Sequence, residues 1–249
     1  MAEKFQTRFK SFEIKDAIAQ VSINCVIFGF NEKKLNVIVN RISLGSKPIV
    51  VLPGGFVGQQ ENVSNAVERI VKESTGLENI LLKQFAVFGD SDRAFTHDHI
   101  RRLPDVVFGK KLLKWLQQRF ISICYLALVD YNKIDLKPTQ FLESAQWLPV
   151  DKAKLLALDH ADMVKSAKES LRELSYSLIA SNLLPAKFTL PELHSLVEAI
   201  VGHNIDRANF RRKILSSAVL VKVGQDDSGN RRPADVYTFK FEKNTVTNF

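Results

Sequence analysis

The sequence predicts an α+β protein in two parts. A mixed sheet-and-helix domain fills roughly the first two-thirds, and a small helical domain closed by a β-hairpin follows. Three observations predict this. Short β-branched apolar runs alternate with one strongly periodic helix between Gln20 and Asp130. A helix, a turn and a second helix follow Thr189. Two strand-like runs, VLVKV and VYTFKF, come after that second helix. This last order is that of a winged helix-turn-helix.

VSINCVIFGF, the turn NEKK and LNVIVN predict a hairpin between Gln20 and Asn40. IVVLP is a further short strand, ended by Pro53 and Gly54-Gly55. Val63, Ala66, Val67, Ile70 and Val71 recur at helical spacing, so a helix is expected over 62–74 with Gly76 as its stop. Residues 81–88, 121–130 and 145–148 read as strands. Met163, Val164, Ala167, Leu171 and Leu174 share a stripe, predicting a helix from Ala161 to about Leu178. The basic, partly amphipathic stretch 93–120 reads as a surface insertion with a helix over 110–118, either a solvated excursion or a lid over a pocket. Thr189 and Glu192 form a capping box that opens a helix ending at Gly202, and Asp206 caps the next. The two domains are expected at 1–182 and 183–249, with a linker around 181–187.

The chain has 249 residues, is 45% hydrophobic and 25% charged, and carries a formal charge of +8. These are values of a globular protein with room for a polyanionic partner. No run of about 18 apolar residues predicts a membrane span. The first residues lack the apolar core of a signal peptide, so a cytoplasmic location is expected. Cys25 and Cys124 fall inside strand-like runs and are expected as reduced core thiols. His97, Asp98 and His99 are expected as loop residues, since no further ligand stands at metal spacing.

The chemistry concentrates in GGFVGQQENVSNAVERIVKESTGL, residues 54–77. Gly55, then five residues, Glu61, then seven, Arg69, and later Glu73, Gly76 and Leu77 resemble the Nudix box. The resemblance implies a Nudix α/β/α sandwich, in which glutamates on this helix bind magnesium against a substrate diphosphate. Two positions depart from the pattern: Ile70 and Ser74 stand where the box has glutamates. Isoleucine cannot ligate a metal and serine is a poor ligand. Arg69 is expected to hold Glu61 or loop carbonyls. No catalytic residue, metal or cofactor is therefore expected; magnesium enters only if the chain is a hydrolase.

GGFV, TGLENI and FGDSDR, together with FTLPELHSLVEAIVGHNIDRANFRRKIL, resemble the Nudix-related transcriptional regulators, which include ADP-ribose-sensing and arabinose-responsive members. The resemblance covers nearly the whole chain except the insertion after Arg93. It implies a Nudix domain used as an effector sensor, with Phe56, Glu73, Asp92 and Arg93 near the effector; the insertion departs from the family where that pocket is expected, and Lys114 and Trp115 are its own candidate contributors there. Asp159, before His160, is expected to cap the last Nudix helix. Arg207, Arg211, Arg212 and Lys213 cluster on one short helix, with Asn209 as a base-edge reader and Arg231 and Arg232 on the wing. Without the surrounding motif order this basic run would read as a solvated face around Phe210, Ile214 and Leu215.

The leading expectation is a metabolite-responsive regulator, a repressor, acting as a homodimer on operator DNA. Its effector would be a sugar, a sugar phosphate or ADP-ribose. The alternative is a magnesium-dependent hydrolase of ADP-ribose or a related nucleoside diphosphate derivative, with Asp90, Asp92 or the insertion replacing the lost carboxylates. A third reading is an RNA-binding or protein-interaction module.

Overall fold

The computed structural model describes residues 17–42, 48–93, 105–134, 136, 144–174, 176–226 and 233–240. Seven strands form one sheet: β1 (Ala17–Asn31), β2 (Lys34–Ile42), β3 (Ile49–Val51), β4 (Gly54–Gly58), β5 (Leu81–Phe88), β6 (Ile121–Leu128) and β7 (Ser144–Pro149). The order is β3-β2-β1-β6-β5, with β4 added to β1 and β7 to β2. β1 runs parallel to β6 from Val21 opposite Ile121 to Phe28 opposite Leu128. Its other end turns back antiparallel into β2. The two residues of that turn, Glu32 and Lys33, have φ of 47° and 60°. Both lie in the left-handed region that a tight hairpin with native twist requires.

Strand alternation sorts the core into two faces. Ile23, Cys25 and Ile27 of β1, with Ala127 of β6, point toward helix α1 (Val63–Thr75), where Ala66, Val67, Ile70 and Val71 meet them. Val26 and Phe28, with Cys124, Leu126 and Leu128, point the other way. There they pack on helices α3 (His160–Leu171) and α4 (Tyr176–Leu183). The expected single helix over 161–178 is therefore two helices. Residues 105–116 form helix α2 (Asp105–Leu116), whose Leu112, Leu113 and Trp115 are buried. The described part of the insertion is thus no solvated excursion: Leu112, Leu113 and Trp115 are packed on the body of the protein.

After α4 come β8 (Phe188–Thr189), α5 (Leu190–Val201), α6 (Arg207–Ser216), β9 (Leu220–Asp226) and β10 (Ala234–Phe239). The last two strands pair antiparallel, and β8 adds to the far side of β10. Thr189 and Glu192 form the expected capping box, and Asp206 caps α6 by accepting from Asn209 N–H at 2.7 Å. The expected linker differs from the structure. Leu183 and Leu184 are buried, and one apolar cluster runs from Val26 and Phe28 through them to Leu193, Leu196 and Ile214. Apolar side chains at those positions gain more from the shared core than a solvated tether would allow.

Candidate functional site

The helix α1 is held in place by polar contacts at both ends. Asn62 caps its start by accepting from Asn65 N–H, and Gly76 closes it with φ of 72° and its N–H on Lys72 O. Inside this frame Glu61 accepts from Gly58 N–H and from Arg69, whose Nε and Nη2 each lie 2.8 Å from the carboxylate. Arg69 also donates to Phe56 O at 3.0 Å. The Arg69 hydrogen bond holds the Glu61 carboxyl below the usual glutamate range, against the opposing effect of burial. Arg69 is thus the structural partner expected of it, and Glu61 is already occupied. Glu73 stands 3.9 Å from the same guanidinium.

The two departures have distinct physical outcomes. Ile70 is 3% exposed and belongs to the core behind the sheet. A Cβ on Gly55 would come within 3.1 Å of its Cδ1, so the glycine lets the β4 backbone lie on the isoleucine. Ser74 turns inward along its own helix and donates to Ile70 O at 2.8 Å. Among the described residues no three His, Cys, Asp or Glu side chains gather as a metal site.

Beside α1 lies an aromatic trio. Phe56 and Trp115 meet edge to face with centroids 4.6 Å apart, Trp115 and Phe120 likewise at 4.8 Å, and Phe56 lies 5.6 Å from Phe120. Trp115 thereby covers Phe56, while Lys114 is exposed. Arg93 reaches under this group. Its side chain is 9% exposed, its Nε donates to Asp159 at 2.6 Å, and its Nη1 donates to Phe120 O at 3.2 Å. Contacts therefore run from Glu73 through Arg69, Phe56 and Phe120 to Arg93; Asp92 is exposed on the turn before it. Asp159 departs from its expected role: its side chain makes no bond to the helix end, because Arg93 takes it. Its other oxygen is buried without a partner among the described residues.

Three buried polar residues were not legible in the sequence. Leu52 N–H donates to His160 Nδ1 at 3.0 Å, and the other ring nitrogen, Nε2, lies 3.3 Å from Asn24 Nδ2. Ser122 hydrogen-bonds the same amide. His160 thus ties the loop after β3 to the centre of β1. Cys25 and Cys124 are free and buried, as expected, and burial pushes the Cys124 thiol up to about 12.

On α6, Arg207, Asn209, Arg211, Arg212 and Lys213 are exposed. Ile214 is buried and Phe210 half-buried, and at 100° per residue Arg212 lies opposite them. Ala208, Asn209 and Ser216 share that outer face, and Arg212 donates to Asn209 Oδ1 at 2.7 Å. Arg207 and Arg211 sit on one flank and Lys213 on the other. Arg231 and Arg232 lie outside the described residues, as do His97, Asp98 and His99.

Residues 19–171 match the model of the NUDIX domain. The chain belongs to the Nudix family. Beyond the Nudix domain, residues 180–239 match the NrtR DNA-binding winged helix domain. The chain is 28% identical over 228 residues to the ADPR responsive transcriptional repressor NtrR of Acinetobacter baylyi, covering 89% of this chain and 82% of that one. It is similar in fold to the crystal structure of Shewanella oneidensis NrtR, with a TM-score of 0.65, 24% identity, and coverage of 89% of this chain and 94% of that one. A MutT/nudix family protein from Enterococcus faecalis matches at TM-score 0.62 and 19% identity, over 90% of this chain and 89% of that one. These two likenesses extend the Nudix fold and the C-terminal domain together across the chain.

Proposed function

We propose that this Nudix-family chain is a metabolite-responsive transcriptional regulator, a repressor, whose Nudix domain senses a sugar, sugar phosphate or ADP-ribose-type effector. The observation that carries this reading is the C-terminal domain. A match to a DNA-binding winged helix coincides with a helix that exposes Asn209 and Arg212 away from its core. The name of the Acinetobacter relative, an ADP-ribose responsive repressor, supports the effector class. In this reading Phe56, Glu73, Asp92 and Arg93 form the effector site. Arg207, Asn209, Arg211, Arg212, Lys213, Arg231 and Arg232 form the DNA contact, with domains at 1–182 and 183–249.

The same proposal makes the Nudix domain a sensor without catalysis, needing no metal or cofactor. Ile70 lies in the core, Ser74 bonds backward, and Glu61 is committed to Arg69. A cytoplasmic homodimer on a two-fold operator completes the picture. Effector binding would shift the balance between DNA-competent and incompetent arrangements by its difference in affinity for the two.

A gel shift with the DNA upstream of its own coding sequence, at moderate salt, tests the reading. Preference for that fragment over unrelated DNA is expected, together with relief by ADP-ribose or a sugar phosphate that also raises the melting temperature. Equal affinity for all DNA overturns it. Magnesium-dependent release of AMP from ADP-ribose, abolished by Glu73→Gln, would favour the hydrolase instead.

A further inference from the structure

A cleft of about 650 Å³ opens between the Nudix sheet and the C-terminal helices, lined by no residue of α1 or of the aromatic trio. Its floor is apolar: Phe30 at the end of β1, Leu183 and Leu184 at the end of α4, Leu190, and Phe210 of α6. Leu183, Leu184 and Leu190 are buried, while Phe30 and Phe210 present partly open faces. Its rim is cationic. Lys33 comes from the tight β1–β2 turn, and Arg207 and Arg211 come from the inner flank of α6. Among the described residues none of these three cations has a carboxylate within 4.0 Å. Glu192, also on the rim, is engaged in its capping box, which leaves Glu32 as the rim's one uncommitted carboxylate among the described residues.

The walls are braced. His194 bonds Ile205 O at 2.9 Å and meets the Phe210 ring edge to face at 5.1 Å, fixing one aromatic wall. The two left-handed residues of the β1–β2 turn hold Lys33 on the opposite side. An apolar floor with a few convergent cations at its mouth, in this volume range, is the composition of a small-molecule site. A bare DNA phosphate would satisfy the rim and leave the floor wet. An organic phosphate with a flat apolar body satisfies both, and arginine forks suit its oxygens.

We propose that this interdomain cleft is a second ligand site, for an organic phosphate of mononucleotide size or smaller. Its ring lies between Phe30 and Phe210 and its phosphate is held by Lys33, Arg207 and Arg211. The ligand ties α6 to the Nudix turn and takes up two arginines otherwise available to DNA. That second consequence rests on the regulator reading; the site itself does not.

The test uses the full chain and 1-naphthyl phosphate, titrated calorimetrically, with inorganic phosphate as the ringless comparison. The wild type is expected to bind one equivalent per chain, at least tenfold more tightly than inorganic phosphate. Lys33→Glu, an exposed change on the Nudix turn, is expected to weaken the probe at least tenfold. Ser195→Trp, which fills the cleft from α5, is expected to abolish it while the melting transition stays cooperative. No binding, or equal binding to wild type and Lys33→Glu, overturns the site.

In a second arm, the probe at saturation is expected to weaken wild-type binding to the upstream DNA severalfold. The same concentration should weaken DNA binding by the Lys33→Glu chain distinctly less. If the chain binds no DNA but the calorimetry behaves as stated, the regulator reading falls and the site stands. If DNA binds and the probe does not, the site falls alone.

Discussion

Restoring the missing glutamate at position 70 should damage this protein rather than revive an enzyme. Ile70 is 3% exposed, packed among Ile23, Cys25, Val57 and Val67 and lying against Gly55. Losing its burial costs about 2–3 kcal/mol. A carboxyl group there has no described cation facing it, so it must either ionise in an apolar setting or hold its proton. Raising its pKa by about two units corresponds to roughly 3 kcal/mol at neutral pH. The two effects sum to about 5 kcal/mol, or a fall in melting temperature of about 10–20 °C for a chain of this size. Calorimetric melts of Ile70→Glu against wild type at pH 7 and pH 5 measure it. The sign of the pH effect is fixed. A carboxyl whose folded pKa is raised binds more protons folded than unfolded, so the deficit must shrink as pH falls toward 5. Ser74→Glu, at a half-buried position facing the helix surface, should cost no more than about 1 kcal/mol. If Ile70→Glu melts within about 3 °C of wild type at pH 7, or gains magnesium-dependent hydrolysis, position 70 faces a metal cleft and the reasoning fails.

Arg69→Ala should lower stability at pH 7 by about 1 kcal/mol, a figure kept small because the pair is partly exposed. Glu61's folded pKa is depressed, so its contribution is present above the unfolded carboxyl value and fades as pH falls through the folded one. The difference between variant and wild type should therefore narrow in acid urea melts. Arg212→Ala should weaken DNA binding and reduce the slope of affinity against salt by about one if the side chain meets phosphate. If it meets a base edge, fluorescence anisotropy should show about 1–3 kcal/mol of lost discrimination at one operator position. Both thiols should resist a disulfide reagent at pH 8 in the folded chain and react together on unfolding; rapid native reaction of either would contradict its burial. Thr189→Ala should cost about 1 kcal/mol by removing the capping box of α5, read from chemical denaturation.

The sequence by itself determined the elements whose signals are local. The β1–β2 hairpin, α1 with its glycine stop, the capping box at Thr189 and the cap at Asp206 follow from spacing and from side chains that bond within a few residues. Arg69 was expected on Glu61 or on loop carbonyls, and it meets both, Glu61 and Phe56 O. Tertiary structure decided everything that depends on which distant surfaces meet. Asp159 looked like a cap because caps are local, yet Arg93, 66 residues away, supplies a charged partner that the helix end cannot match. The helix expected over 110–118 could have been solvated or a lid, because a weak apolar stripe does not say what it meets; the helix runs over 105–116 and three of its side chains found apolar surface to cover. The segment around Leu183 read as a linker by composition, and it is buried because both domains share one core. The cleft beside Arg207 and Arg211 has no sequence signature, since its walls come from β1, α4, α5 and α6. Only folding brings the Nudix turn against the inner flank of the basic helix.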